Sequence, residues 1–207
     1  MTNATRIIIF AKYPQAGNVK TRLIPELGAD RAALLALQLL NHAVHEALKT
    51  NLEVELCVSP NHDHPCWEAL DICHNSRLIW SNQSSGDLGE RMATAVRNNL
   101  ISQPNRHVIL IGTDCPALDQ DKLLQAAEQL NFHDSVLTPA LDGGYVLMGV
   151  KAYSITLFEG IEWSTSTVYK STKNKIQQLG WSCYHFPQEA DIDTSADLRY
   201  LPATWIY

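Results

Sequence analysis

The chain has 207 residues, 45% hydrophobic and 18% charged, which is enough for one hydrophobic core and excludes both a disordered chain and two ordinary domains. Its formal charge of −6 excludes a general nucleic-acid binder or a protein drawn to anionic membranes. No apolar run reaches the length of a membrane span, Ile7–Ala11 is too short for a signal-peptide core, and the five scattered cysteines fit reduced thiols; a cytoplasmic location is expected.

Ile7–Ala11 is a continuous β-branched and aromatic run, the pattern of a strand buried on both faces. Apolar residues then recur at helical spacing from Ala29 to Leu48. Glu53–Val58 predicts a second strand, Trp67–Cys73 a short helix and Leu78–Trp80 a short strand. Leu88–Leu100 predicts a helix, and Val108–Gly112 a second strongly buried strand that should lie beside Ile7–Ala11. Asp119 is placed to cap a helix running to Leu130. Ser135–Thr138 and Tyr145–Met148 predict two strands, Val168–Leu179 a helix stopped by Gly180, and Ser182–Phe186 a last strand. Alternating strands and helices indicate an α/β fold with a doubly wound, mostly parallel sheet, in one domain spanning residues 1–207.

In such sheets ligands bind beyond the carboxyl ends of the strands. The loop after the first strand carries Lys12, Gly17, Lys20 and Arg22, which suit a polyphosphate; the other reading is a solvated basic loop. It is neither a Walker A loop nor a G-x-G-x-x-G turn. Asp114 follows the central strand and is placed to hold Mg²⁺ or Mn²⁺, or simply to cap a turn. Asp142-Gly143-Gly144 allows close approach of backbone to a ligand, or a hairpin turn. Asp193 either starts a helix or returns to the metal at Asp114. Trp163 and Ser164 precede a helix that Ser166 or Thr167 could cap, and they could line a sugar or acceptor pocket.

Together and in this order, these segments resemble the nucleotide-diphospho-sugar transferase superfamily with its Rossmann-like GT-A fold. The matching stretch is Phe10-Ala11-Lys12-x-Pro14-x-x-Gly17-x-Val19-Lys20-Thr21-Arg22-Leu23, joined by Gly112-Thr113-Asp114-Cys115-Pro116, Asp142-Gly143-Gly144-Tyr145, Trp163-Ser164-Thr165 and Asp191-Ile192-Asp193-Thr194-x-x-Asp197-Leu198. Within the superfamily the chain looks most like a group of bacterial GT-A-like glycosyltransferases, itself similar to guanylyltransferases that act on phospholactate or molybdopterin. The resemblance implies that Lys12, Lys20 and Arg22 face a nucleotide's phosphates and that Asp114 and Asp193 hold Mg²⁺ or Mn²⁺. The first loop departs from the nucleotidyltransferases, with Lys12-Tyr13-Pro14-Gln15 where they carry a glycine-rich segment.

The expected function is metal-dependent glycosyl transfer from a nucleotide-sugar to a small-molecule acceptor, with Asp114 and Asp142 as catalytic carboxylates and Gly143, Gly144, Trp163 and Ser164 around the acceptor or sugar. The alternatives are nucleotidyl transfer from an NTP and a non-catalytic nucleotide-binding protein on the same fold. His62, His64, Cys66, Cys73 and His74 match no standard zinc spacing and are expected to hold no stoichiometric zinc.

Overall fold

The computed structural model describes residues 4–103 and 106–205. Strands β1 (Thr5–Lys12), β2 (Glu53–Ser59), β3 (Leu78–Asn82), β4 (His107–Ile111), β5 (Ser135–Pro139), β6 (Tyr145–Val150) and β7 (Cys183–His185) form one seven-stranded sheet in the order β3-β2-β1-β4-β6-β5-β7. β1 and β4 pair in parallel at its centre, with Ile7 opposite Ile109 and Ile9 opposite Ile111. β6 runs antiparallel to β4 and to β5, and the other pairings are parallel. A short turn joins β5 to β6, so β6 must run back along β5, and it fills the gap beside β4.

The central strands carry apolar side chains on both faces because both faces are covered. Ile7, Ile9, Val54, Leu56, Ile109 and Ile111 pack on one side with α2 (Ala29–Lys49) and α4 (Gln120–Gln129). Ile8, Cys57, Val108, Leu110, Met148 and Val150 pack on the other with α3 (Leu88–Ser102) and α5 (Val168–Gln178). A smaller cluster of Leu23, Ala32, Leu35, Leu39 and Ile192 joins the short helix α1 (Ile24–Leu27) and the start of α2 to the C-terminal segment. Buried Glu55 of β2 accepts from Ser81 Oγ (2.6 Å), Asn99 Nδ2 (2.9 Å) and Arg6 Nη1 (3.1 Å), which satisfies a charge that burial alone would penalise.

Three local expectations change. The helix expected at Trp67–Cys73 is two 3₁₀ turns, Pro65–Ala69 and Asp71–His74, separated by Leu70 in an extended conformation. β7 is shorter than Ser182–Phe186 because it pairs with β5 over three residues only. Neither Ser166 nor Thr167 caps α5 through its side chain; instead Tyr169 N donates to Gly143 O at 2.9 Å, so a turn from elsewhere in the sheet closes that helix start. Asp119 does cap α4, accepting from Lys122 N at 2.9 Å. Among the described residues, no helix is long and apolar enough to cross a membrane.

Candidate functional site

The loop leaving β1 folds on itself through short local bonds. Asn18 N donates to Gln15 O, and Lys12 Nζ reaches Asn18 O at 2.9 Å. Gly17 takes φ +81° and Lys20 φ 48°, both left-handed, which turns the chain twice and drops Leu23 into the small cluster beside Ile192. An added Cβ at Gly17 would meet nothing, and the residue lies outside the cleft lining; its glycine serves the turn, while neighbouring Asn18 lines the cleft.

The segment after β4 ends the central strand at Gly112-Thr113-Asp114. Thr113 Oγ1 donates to Asp114 Oδ1 at 3.0 Å. The C-terminal segment arrives from β7, and Ile192 N donates to the Asp114 carbonyl at 2.8 Å. Ile192 is fully buried in the cluster with Leu23, while its neighbours Asp191 and Asp193 both line the cleft.

Lys20 ties these pieces together. Its Nζ lies 2.7 Å from Asp114 Oδ1 and donates to Ile192 O at 2.5 Å, and its side chain is only 6% exposed. Arg22 pairs with Asp193 Oδ2 nearer the surface. Asp193 therefore does not cap the following 3₁₀ helix: Thr194 does, in a capping box with Asp197.

A cleft of about 590 Å³ opens over these groups, within the size range of small-molecule sites. Lys12, Lys20, Arg22, Asp114, Asp142, Asp191 and Asp193 supply its polar wall. Burial, reinforced by Asp142, Asp114 and Asp193, raises the Asp191 carboxyl to about 6. Asp191 was assigned no role from sequence; its alternation with Asp193 across buried Ile192 was the available signal.

Phe10, Leu88, Met92 and Trp163 supply the apolar wall, with Gln83, Gly144 and Ser164 also lining the cleft. Gln83 Nε2 donates to Ala11 O and Cys57 O, both at 3.1 Å, which fixes the segment after β3 against the sheet. Sequence reasoning named Trp163, Ser164 and Gly144 for a pocket but gave no such role to Phe10, Gln83, Leu88 or Met92, although the capping box of Asp87 and Glu90 marks where α3 begins. Ser164 takes φ +62°, an uncommon conformation for serine that turns residues 163 and 164 toward the cleft.

Asp142-Gly143-Gly144 forms the β5–β6 hairpin turn, with Asp142 Oδ1 accepting from Gly144 N at 2.7 Å. Gly143, at φ +92°, lies outside the cleft lining: a Cβ there would fall 2.2 Å from Ser166 O. The close backbone approach expected at this glycine is made to the chain itself.

The carboxylates fit a hard divalent cation by donor chemistry, since all four present oxygen and the Lys20 ammonium already sits against Asp114 as a cation. Among the described residues no three or more His, Cys, Asp or Glu side chains are grouped to hold a metal as they stand. Asp114 and Asp193 are each turned to a cation of the β1 loop. In the histidine-rich segment, His62 Nδ1 meets Asn82 Oδ1 at 3.0 Å, His64 Nδ1 accepts from Cys66 N, and Cys73 Sγ donates to Glu68 O.

Residues 42–165 match the model of a family described as uncharacterized proteins conserved in bacteria (DUF2064). No curated protein matches the chain. Among solved structures, a provisionally named nucleotide-diphospho-sugar transferase from Desulfovibrio desulfuricans G20 is 30% identical, with TM-score 0.88 over 99% of this chain and 88% of that one. The 4-diphosphocytidyl-2C-methyl-D-erythritol synthase of Anaerococcus prevotii DSM 20548 shares the fold at TM-score 0.57 and 11% identity, over 97% of each chain. Rv0371c of Mycobacterium tuberculosis H37Rv, in complex with manganese, shares it at TM-score 0.52 and 14% identity, over 99% of this chain and 100% of that one. The fold is thus that of the nucleotide-diphospho-sugar transferases.

Proposed function

Because the chain belongs to the DUF2064 family of bacterial proteins and carries the nucleotide-diphospho-sugar transferase fold, we propose that it transfers a glycosyl group from a nucleotide-sugar to a small-molecule acceptor with a divalent metal. One observation carries this reading: the two cations that follow β1 and the carboxylates that follow β4 and β7 meet in a single cleft at the carboxyl edge of the sheet.

In this reading Lys12, Lys20 and Arg22 bind the donor's diphosphate, Arg22 offering a planar fork to two oxygens and the lysines point charges. Asp114 and Asp193 would hold Mg²⁺ or Mn²⁺, which screens charge on a departing diphosphate when bound. The manganese complex of Rv0371c supports a divalent ion on this fold. Asp142, held on its hairpin by the Gly144 N–H, takes the acceptor's proton or binds a sugar hydroxyl. Gly144, Trp163 and Ser164 line the acceptor or sugar side, where the indole offers a flat apolar surface and Ser164 a hydroxyl.

Nucleotidyl transfer from an NTP is the second reading, favoured by the fold shared with the diphosphocytidyl-methylerythritol synthase. The experiment is a thermal-shift screen of NTPs and nucleotide-sugars with and without Mn²⁺, followed by product analysis of the best ligand. Nucleoside diphosphate release is expected; pyrophosphate release from an NTP selects the second reading. Binding without turnover for any acceptor leaves a non-catalytic nucleotide-binding protein.

A further inference from the structure

Two of the three cations that line the cleft already have a carboxylate. Lys20 Nζ rests 2.7 Å from Asp114 Oδ1, and Arg22 holds Asp193 Oδ2. Resting on the reading above, we propose that these pairs exchange partners on binding. Phosphate oxygens take Lys20 and Arg22, the divalent ion takes Asp114 and Asp193, and neither ligand binds well without the other.

A divalent ion approaching Asp114 while Lys20 stays in place meets a positive charge at hydrogen-bond distance from its own ligand. An anion approaching Lys20 meets the Asp114 carboxylate in the same way. Displacing either partner alone leaves its mate exposed to the full cost of a broken pair. That cost is high for Lys20, whose side chain is 6% exposed and has little water to fall back on. When both ligands arrive, every group released from the two pairs is claimed.

The two pairs contribute unequally. Arg22 and Asp193 are 66% and 39% exposed, so solvent screens them and their exchange is nearly neutral. Lys20 with Asp114 therefore supplies most of the coupling. Lys20 also donates to Ile192 O, so its departure from Asp114 does not set the whole side chain adrift. Linkage then requires that metal and anion raise each other's affinity by one and the same factor.

This makes an unusual prediction: deleting one binding group should improve binding of the opposite ligand. The probes are Mn²⁺ alone and pyrophosphate alone in excess EDTA, which needs no knowledge of the base. Both are titrated calorimetrically into the full chain and its variants. Lys20→Met should tighten Mn²⁺ binding by about 5- to 50-fold, within the usual range of site–site coupling, and Lys20→Arg should restore the weak wild-type value. Arg22→Gln should tighten it by about 3-fold or less, as suits an exposed pair. Asp114→Asn should abolish Mn²⁺ binding yet tighten metal-free pyrophosphate. If Lys20→Met fails to fold, the Asp114→Asn and Arg22→Gln arms decide. If both probes bind the wild type, but Lys20→Met leaves Mn²⁺ affinity unchanged or lower and Asp114→Asn does the same for pyrophosphate, partner exchange is overturned and the transferase reading stands. If neither probe binds any form, and no nucleotide does, the transferase reading falls and this inference with it.

Discussion

Gly89, in the first turn of α3, lies against the indole of Trp163: a Cβ at position 89 would fall 2.2 Å from Nε1 and 2.5 Å from Cε2. Two segments of the apolar wall therefore meet through a residue with no side chain. The atoms in the way belong to a rigid ring, so Gly89→Ala must swing the indole or shift the helix. We expect a loss of about 1–3 kcal/mol, as for other overpacked sites. The double variant Gly89→Ala/Trp163→Ala should lose less than the sum of the two single changes, because the clash is gone. Urea melts of all three proteins test this, and strict additivity would refute it.

Asp114→Asn should lower the melting temperature of the ligand-free protein. Removing one of several neighbouring carboxylates would by itself relieve repulsion. The structure places the Lys20 ammonium, 6% exposed, against that carboxylate, and neutralising Asp114 removes its counter-charge. Asparagine still offers an oxygen, and Asp114 is half exposed, so the loss should be about 1–2 kcal/mol rather than that of a fully buried broken pair. Calorimetric scans without metal or nucleotide decide between the signs. Likewise, Lys20→Ala should be destabilising as well as weakening phosphate binding.

Asp193 and Asp197 sit four residues apart and should behave oppositely. Asp197 Oδ2 accepts from Thr194 N and Thr194 Oγ1, both at 2.7 Å, and from Asp193 N at 3.2 Å. Asp197→Ala should cost about 1 kcal/mol of stability, the usual loss of a cap. Asp193→Ala breaks only an exposed pair and should stay within about 0.5 kcal/mol of wild type. On the proposed function the order reverses for Mn²⁺ affinity, which Asp193→Ala should lower more. A larger stability loss at 193 than at 197 would contradict the assignment.

The acid limb of stability should depend on Asp134. Its carboxylate accepts from Ser182 Oγ at 2.7 Å and Ser182 N at 2.9 Å, tying the start of β5 to β7. These bonds hold its pKa below the ordinary 3.8. The folded chain thus binds that proton more weakly than the unfolded one. The stabilisation is complete well above pH 3.8 and is lost as pH falls through the ordinary value toward the lower folded one. Asp134→Asn should flatten this part of the profile and destabilise at neutral pH by about 1–2 kcal/mol. Melts from pH 3 to 7 that leave the two profiles parallel would count against it.

Much of the sheet was legible because β1 and β4 are apolar on both faces, which marks inner parallel strands wherever they occur. Asp-Gly between two apolar runs likewise marked the β5–β6 hairpin. The insertion of β6 between β4 and β5 was not legible, because periodicity reports a strand's faces and not its neighbours. In the cleft, charged residues directly after strands were readable from their position. Their pairing with one another was not: nothing local in the Lys20 or Asp114 segments says that each will meet a group from the far end of the chain. Gly89, Gln83 and Asp191 carry no role in the sequence reading because their parts depend on what packs against them: an indole, two strand carbonyls, and a buried isoleucine beside a second aspartate.

The bond from Lys20 Nζ to Ile192 O closes a loop of 172 residues. Loop-closure entropy for a chain segment that long is repaid only after the sheet between its ends has formed. The cleft is therefore a late product of folding: β1 and its loop emerge early from the ribosome, yet their charges stay without mates until the segment after β7 has been synthesised and docked. A chain halted or clipped before residue 191 would keep its strands and helices up to that point but expose Leu23, Ala32, Leu35 and Leu39 without Ile192. Quality control in the cell would then see an apolar patch beside the loop that carries Lys20 and Arg22.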